Sequence, residues 1–434
     1  MHIQAISEKQ YRWIVVAACF LLAFTGLGFC SGTKSLYLVA VTEATGIKRS
    51  LFSVSDSCRF ITTAVVNLFF GFHLSRYGAK KMIGAGYLAL IIFTLIYAHA
   101  TSAWMFCVGG IFLGIGLSWM STAMIGHVIS AWFQENRGTV MGVALAANGL
   151  GTAIMTQIVS PIIYREGDTF GYRRAYLLTA LLLAVAAVLT LVFIREYPPG
   201  FDRCRAVAAP KKKKPRDIWT GITLKEALRS PWFYVAAVCV FLTGMTLQGV
   251  SGVAVAHMKD VGLETAFIAG LVSIRSILMS ADKVLVGFLH DRIRIRRTLT
   301  ICGLCGVGAI LMLFLIQPTV GGKWAGAVYT PMMAMALPLE TIMLPLLAGN
   351  LFGERAYEKM LGILVSINTA GYAVGAPLTN LCHDLLGTYR PMLLALAGVM
   401  AAVTAIYPFV FAASAKKRRE IEAAVAEGSA AGGK

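Results

Sequence analysis

Eight acidic, basic or histidine residues stand well inside apolar stretches of this 434-residue chain, where little water is available to solvate a charge. They are Lys34, Asp56, Arg59, His127, Arg275, Asp282, Lys283 and Glu340. A charged side chain at the centre of a bilayer costs about 2.5 to 3.5 kcal/mol on insertion scales, so such residues usually face a cavity and mark a solute or ion pathway. The sequence therefore predicts a polar path through a membrane protein.

The four basic members of this set could bind an anion. Arg59 and Arg275 each stand twelve residues before a glycine, Gly71 or Gly287, at matching positions of two similar segments. A guanidinium group can hold a carboxylate through two parallel hydrogen bonds, which a lysine cannot do. We predict Arg275 as the main carboxylate ligand, within a substrate-binding set of Arg275, Lys34, Arg59 and Lys283. Lys283 could instead extend its ammonium group toward the membrane surface.

The other four members could carry protons, and the predicted proton-coupling set is Asp282, Glu340, Asp56 and His127. Glu340 lies between two prolines in a run with no other charge, which suits a proton carrier. Asp56 and Arg59 are three residues apart on one helix face, so they could simply neutralise each other. His127 could instead form a hydrogen bond between packed helices.

Twelve apolar runs predict twelve transmembrane helices, because each is close to or above the 20 or so residues that span a bilayer. Hydrophobic residues make up 57% of the chain and charged residues only 14%, against about 25% charged in soluble domains. This composition argues against a water-soluble enzyme. The runs lie at 13–41, 51–74, 80–100, 103–132, 139–163, 173–194, 231–257, 263–289, 298–317, 324–351, 360–383 and 390–413.

The net charge of +18 follows from topology. Of the 39 Lys and Arg residues, 27 lie in the predicted segments on the side of the N-terminus and eight on the opposite side. The positive-inside rule then places both termini in the cytoplasm. We therefore expect a multi-pass protein of the plasma or inner membrane. The basic runs Lys211–Lys214 and Lys416–Arg419 fix this orientation and meet anionic lipid, so we expect no nucleic-acid partner.

The two halves of the chain resemble each other. Gly71–Lys81 (GFHLSRYGAKK) matches Gly287–Arg297 (GFLHDRIRIRR), and Met141–Gly151 matches Leu361–Gly371. Two related six-helix halves are typical of transporters with a substrate site near the membrane midplane. We predict an N-terminal half at 1–195, a cytoplasmic linker with a short amphipathic helix at 196–230, a C-terminal half at 231–413 and a disordered tail at 414–434.

The matching loop segments resemble the cytoplasmic signature G-x-L-x-D-R-x-G-R-R of the major facilitator superfamily. This resemblance implies an all-α membrane fold of 12 transmembrane helices in two six-helix halves, with both termini cytoplasmic. It also implies that the signature residues help to close the cytoplasmic side; they are Gly71, Arg76, Gly78, Gly287, Asp291 and Arg292. Ser75 stands where the first copy of the signature usually has Asp, which weakens that role on its side.

Three further segments resemble the monocarboxylate transporter and oxalate/formate antiporter families. They are Trp132–Gly149, Thr223–Phe233 and the surroundings of Lys34, which stands where monocarboxylate transporters have a lysine thought to bind proton and substrate. Both families place a substrate-pairing Arg four residues before the glycine of the second signature, where this chain has Lys283. No lysine stands in the run at 360–380, which makes oxalate itself a poorer candidate.

These observations favour a secondary transporter of a small organic anion, most simply a lactate- or pyruvate-like monocarboxylate moved with a proton by alternating access. The alternatives are an anion exchanger of the dicarboxylate/monocarboxylate or oxalate/formate kind and, from another class, a membrane receptor that does not transport. An enzyme is disfavoured because no catalytic, metal or nucleotide motif stands out. We expect no cofactor, no metal site and a monomer as the functional unit, with the anion, protons and membrane lipid as partners.

Overall fold

The computed structural model describes residues 8–133, 137–197, 224–341, 343–352 and 357–431. Every regular element within these ranges is a helix. A helix satisfies its backbone hydrogen bonds internally, as a chain must do where it crosses lipid. The described part of the chain is thus all-α, as the apolar runs predict.

The first half of the chain begins with a long interrupted span and continues through alternating helices. In order, these are α1 (Glu8–Leu22), a π-helical segment (Ala23–Gly32), α2 (Lys34–Thr45), α3 (Arg49–Leu68), α4 (Phe70–Tyr77), α5 (Ala79–His99), α6 (Ala103–Trp119), α7 (Thr122–Trp132), α8 (Arg137–Ile163) and α9 (Gly171–Phe193).

The rest of the described chain begins with a short helix where the sequence predicts one in the linker, and it continues into the second half. In order, its elements are α10 (Leu224–Arg229), α11 (Pro231–Asp260), α12 (Thr265–Phe314), α13 (Val320–Ala336), a 3-10 turn (Leu337–Glu340), α14 (Met343–Phe352), α15 (Tyr357–Leu386) and α16 (Arg390–Ala431).

All twelve predicted apolar runs fall on these helices. Nine described helical spans are long and apolar enough to cross a membrane, and two bent pairs, α3 with α4 and α13 with α14, raise the count to eleven. The remaining run, 263–289, lies in the first part of α12, whose described apolar stretch Thr265–Met279 is shorter than a full span. Many of the exposed side chains are large and apolar, as lipid contact requires, for example Leu181, Val188 and Phe409.

Two expectations about irregular segments differ from the structure. Helical hydrogen bonding continues through the second signature segment, 287–297. The reason is that this segment contains no glycine or proline after Gly287, and these two residue types disfavour a helix most strongly. The last helix likewise continues to Ala431, although the sequence predicts disorder from residue 414. Ala, Glu, Lys and Arg dominate this tail, and they are among the strongest helix formers.

Two membrane segments contain breaks that matter for the site. The π-helical segment Ala23–Gly32 is followed by Thr33, and α2 then starts at Lys34. In the second half, the 3-10 turn Leu337–Glu340 contains Pro338 and ends beside Thr341. Proline removes a backbone donor and blocks the preceding turn, so the α-helix cannot continue unchanged. Each break places an ionisable side chain, Lys34 or Glu340, at an interruption of a helix.

Glycines allow two pairs of helices to pack closely. A Cβ atom at Gly151 of α8 would overlap the carbonyl oxygen of Phe24, and a Cβ atom at Gly371 of α15 would overlap that of Phe241. Small residues let membrane helices approach until their backbones touch. The two contacts occupy corresponding places in the two halves, so the sequence repeat is also a repeat of helix packing.

We predict that Gly151→Ala destabilises the protein, because the new methyl group forces α8 away from the π-helical segment. Overpacking of this kind typically costs about 1–3 kcal/mol. Gly142→Ala on the same helix is the matched control, since nothing lies within 4 Å of a Cβ atom there. Thermal unfolding in detergent should show a lower midpoint for Gly151→Ala alone; equal midpoints would show that α8 can move without cost.

Candidate substrate site

A cavity of about 210 Å³ lies between the two halves. Its walls come from the first span, α3 and α8 in the first half and from α11, α12, the 3-10 turn and α15 in the second. Four charged residues line it, and they are Lys34, Asp56, Arg59 and Arg275. Polar neutral groups complete the lining, among them Ser31, Asn148, Thr152, Gln248, Ser251, Ser276 and Tyr372.

Asp56 joins the two cations of the first half. Lys34 Nζ lies 2.7 Å from Asp56 Oδ1 and also donates to Ser55 Oγ at 3.1 Å. Arg59 Nε lies 3.4 Å from the same Asp56 oxygen, and Arg59 Nη1 donates to Ser31 Oγ at 3.2 Å. The predicted Asp56–Arg59 pair is present, but Lys34 makes the shorter contact. One carboxylate is thus shared between two cations.

Aromatic rings surround both cations. Lys34 is 7% exposed, and its Nζ lies 5.9 Å from the centre of the Phe52 ring and 5.7 Å from that of Tyr97. Arg59 is 8% exposed, with its guanidinium carbon 4.0 Å from the centre of the Phe60 ring. The negative face of an aromatic ring attracts a cation without neutralising its charge. These contacts hold the cations in place and leave their charge available to a ligand.

Arg275 brings a cation to the cavity from the opposite half. It lies on α12, and Ser276 and Met279 of the same helix line the cavity beside it. Among the described side chains it forms no ion pair, and its Nε is buried without a hydrogen-bond partner. The described cavity wall therefore holds three cations against the single carboxylate of Asp56. Such a surplus creates a positive field in a low-dielectric surrounding, which attracts an anion.

Glu340 lies directly behind the cavity wall. It is 5% exposed, and Gln248 Nε2 donates to its Oε2 at 3.2 Å. Tyr372 donates its hydroxyl to the Glu340 backbone oxygen at 3.4 Å. Gln248 and Tyr372 both line the cavity. The structure thus connects the carboxyl group of Glu340 to the cavity through Gln248 and its backbone through Tyr372.

Gln248 is not among the site residues predicted from the sequence, although it is the only glutamine in its apolar run. A lone amide inside a membrane span needs a polar partner, which is a usable signal. The residues that it would contact, however, lie more than 90 positions away in the chain, so their identity depends on the fold.

His127 and Asp282 do not line the cavity. His127 lies in the middle of α7, and its Nε2 is 3.3 Å from Glu196 Oε1 and 3.4 Å from the Tyr197 hydroxyl, in the segment just after α9. Glu196 also accepts a hydrogen bond from the backbone nitrogen of Ala79 at 2.9 Å. His127 therefore links α7 to the segment that follows α9. Asp282 is partly buried on α12, and the side chain of Lys283 lies outside the described part of the chain.

The predicted signature residues of the first copy lie in α4 and at its junction with α5, whereas those of the second copy lie within α12. Gly78 adopts a φ of +77°, a conformation that favours glycine, and it separates α4 from α5. The guanidinium carbon of Arg76 lies 5.8 Å from the centre of the Tyr77 ring, and that of Arg292 lies 5.0 Å from the centre of the Phe288 ring. A Cβ atom at Gly71 would meet nothing within 4 Å. Gly287 and Asp291 lie within the helical backbone of α12, and the surroundings of their side-chain positions lie outside the described part.

Polar contacts join the two halves on one side of the cavity. Successive spans run in opposite directions, so the connections 46–48, 261–264 and 387–389 share the side opposite the start of α1, here called the distal side. There Arg49 binds Asp260 through both guanidinium nitrogens and donates to the Tyr389 hydroxyl at 3.1 Å. Lys259 reaches Glu43 at 3.4 Å.

A second set of contacts continues this closure toward the cavity. Asp384 accepts from the backbone nitrogens of Arg49 and Ser50, at 3.2 and 2.9 Å. Asn380 donates to Ser53, and Gln157 donates to Ser273, at 2.8 and 2.9 Å. The hydrogen bonds and ion pairs that join a described residue of one half to a described residue of the other lie from the middle of the membrane to the distal side. The cavity is therefore closed on the distal side.

A helical bundle in two repeated halves, with a charged cavity between them, is typical of membrane transporters. The family model of the Major Facilitator Superfamily matches residues 16–349, and the chain belongs to this superfamily. This membership confirms the predicted family and fold class. The orientation of the termini stays a prediction.

Individual relatives are distant but match along most of their length. The chain is 22% identical over 419 residues to the Uncharacterized MFS-type transporter YcxA of Bacillus subtilis, covering 95% of this chain and 98% of that protein. It is 20% identical over 333 residues to Monocarboxylate transporter 12 of Rattus norvegicus, covering 72% and 67%. Other relatives are named as multidrug resistance and sialic acid transporters, so the set does not single out one substrate class.

Among solved structures, the crystal structure of a point mutant of the nucleoside transporter NupG shares the fold. The TM-score is 0.74 at 14% sequence identity, and the alignment covers 92% of this chain and 99% of that one. At this identity the likeness concerns the arrangement of helices alone. The protein is therefore a transporter of the Major Facilitator Superfamily by family and by fold.

Proposed function

We propose that this protein transports a small organic anion, specifically a monocarboxylate such as lactate or pyruvate, together with a proton. The observation that carries this proposal is the composition of the cavity wall, where Lys34, Arg59 and Arg275 outnumber the carboxylate of Asp56. Lys34 and Asp56 largely compensate each other at 2.7 Å. Arg59 and Arg275 then remain as groups that can bind a carboxylate, one from each half.

Binding between the halves suits alternating access. A carboxylate held by Arg59 and Arg275 would draw together the two halves, which rock around a central site during alternating access. With the predicted cytoplasmic termini, the distal side is extracellular and the cavity belongs to an inward-facing state. We further propose that the protein acts as a monomer in the plasma or inner membrane, because each monomer contains a whole cavity.

Glu340 is the proposed proton carrier. Its carboxyl group is buried and forms no ion pair among the described side chains, whereas Asp56 has two cations beside it. A carboxyl group without a cation partner favours the neutral, protonated form in a medium of low dielectric. Protonation of Glu340 therefore costs less than protonation of Asp56, which would break two ion pairs.

Uptake into proteoliposomes tests the proposal. We expect labelled lactate or pyruvate to accumulate in vesicles that contain the protein, and we expect an inward proton gradient to increase the initial rate several-fold. A protonophore should remove the increase, and protein-free vesicles provide the background. Uptake that does not respond to the gradient would disprove symport, and an absence of uptake across short carboxylates would disprove the substrate class.

Exchange of one anion for another is a second candidate, favoured by the same surplus of two cations, which could hold a dicarboxylate. Counterflow from preloaded vesicles without a proton gradient separates the two mechanisms. An exchanger should show strong stimulation by internal anion, whereas a symporter should depend chiefly on the proton gradient. A receptor without transport would show binding and neither kind of flux.

A further inference from the structure

Gln248 stands between the cavity and the buried carboxyl group of Glu340. Its side chain lines the cavity, and its Nε2 donates to Glu340 Oε2 at 3.2 Å. The other carboxyl oxygen, Oε1, is buried without a hydrogen-bond partner in the described part of the protein. One amide group therefore touches both the place where an anion would bind and the place where a proton would bind.

The two ends of this amide have opposite hydrogen-bonding character. The nitrogen can only donate, and the oxygen can only accept. An ionised carboxylate accepts only, so it holds Nε2 toward Glu340 and leaves the amide oxygen available to the cavity. A protonated carboxyl group can donate to the amide oxygen, which requires the amide to turn by half a rotation. Nε2 then points to the cavity, where it can donate to an anion.

We propose that Gln248 couples protonation of Glu340 to binding of the carboxylate substrate by reversing its side-chain amide. The inference rests on the proposed function and adds a coupling residue to it. A proton from water in the cavity binds at Glu340, and the reversed amide donates Nε2 to the substrate carboxylate. Proton and anion therefore bind together and leave together, and by linkage each increases the affinity for the other.

Few other ionisable groups are placed to replace Glu340 in this role. Tyr372 of α15 donates to the Glu340 backbone oxygen, and α14 contains no ionisable residue. Tyr329 lies on α13, and Arg275 and Asp282 lie on α12; none of these forms an ion pair with Glu340 among the described side chains. The ionisable residues of α11 stand nine or more positions from Gln248, and they are Tyr234, Cys239, His257, Lys259 and Asp260.

Binding of labelled lactate to the purified full-length protein, measured at acidic and alkaline pH, tests this coupling. We expect the wild type to bind more tightly at acidic pH, by up to about tenfold per pH unit for one coupled proton. Gln248→Met keeps the length of the side chain and removes both polar ends. It should weaken binding at acidic pH about tenfold and flatten the pH dependence.

Glu340→Gln and Gln317→Met make the test specific. The amide of Glu340→Gln can donate permanently to Gln248, so this variant should bind lactate at every pH as the wild type does at acidic pH. Adding Gln248→Met should abolish that gain. Gln317→Met makes the same change at an exposed position after α12, outside the cavity lining, so it should keep the wild-type pH dependence.

The outcomes separate the coupling from the function on which it rests. A Gln248→Met variant that elutes as a monodisperse peak and keeps the wild-type pH dependence would overturn the role of Gln248 while leaving anion transport intact. If Glu340→Gln weakens binding at all pH values, amide reversal is wrong even if Glu340 carries the proton. No lactate binding by the wild type would overturn the proposed function itself.

Discussion

Replacing Arg275 with alanine should abolish carboxylate uptake without unfolding the protein. Arg275 lines the cavity and forms no ion pair with the described side chains, so its charge is available to the substrate. Truncating one partner of a buried, hydrogen-bonded charge pair costs about 2–5 kcal/mol. At about 1.4 kcal/mol per factor of ten, the loss in affinity is about 30-fold to several thousand-fold. Initial rates of lactate uptake at a fixed substrate concentration would measure it.

Two further variants distinguish binding from structure. Arg275→Lys keeps the charge but loses the two-pronged geometry, so we expect uptake between those of the wild type and Arg275→Ala. Ser276→Ala changes the adjacent lining residue, whose hydroxyl donates to its own helix at the carbonyl of Val272, and uptake should stay near the wild-type rate. Wild-type uptake by Arg275→Ala, at equal amounts of reconstituted protein, would show that this arginine has a structural role only.

Charge inside apolar runs proved to be an informative sequence signal. Lys34, Asp56, Arg59 and Arg275 all line one cavity, although they come from three separate spans. The cost of burying a charge explains this outcome, because such residues are kept where they meet a partner or a ligand. The same signal also selected His127, although His127 does not line the cavity and contacts Glu196 instead.

Other features of the site could not be predicted from sequence because they depend on distant contacts. The Lys34–Asp56 pair joins two helices, and only the interruption of the first span before Lys34 brings its ammonium group to α3. Gln248 is neutral, so its importance comes from Glu340, which reaches it through the 3-10 turn after α13. Local spacing rules describe neighbours on one helix and do not reach these pairs.

Arg49 shows the same limit on the distal side. In the sequence it is only one of eight basic residues on the side opposite the N-terminus, and Asp260 lies 211 positions away. The fold brings them together at the junction of the halves, where Tyr389 also accepts from Arg49 and Asp384 accepts from the first backbone nitrogens of α3. A carboxylate at a helix N-terminus is stabilised by the unpaired backbone donors there. The second half thus caps a helix of the first.

We predict that Arg49→Gln shifts the protein from the distal-closed to the distal-open state. The contacts of Arg49 with Asp260 and Tyr389 cross between the halves, so they stabilise the closed state alone. Loss of one partner of a largely buried ion pair costs about 2–5 kcal/mol, which corresponds to a population shift of about 30-fold or more. Hydrogen exchange should increase over 49–57 and 376–386, and Lys48→Ala, an exposed neighbour without a described partner, should leave exchange unchanged.

A double-mutant cycle separates the Arg49–Asp260 pair from general loosening of the distal side. Asp260→Asn alone should raise exchange in the same segments, because it leaves the guanidinium without its carboxylate. If the two residues act as one latch, adding Asp260→Asn to Arg49→Gln should increase exchange little further, since the shared interaction is already lost. Fully additive effects would mean that the two residues stabilise the closed state independently, Arg49 through Tyr389 and Asp260 through contacts other than that with Arg49. The extent of non-additivity therefore measures how much of distal closure depends on this one contact between the halves.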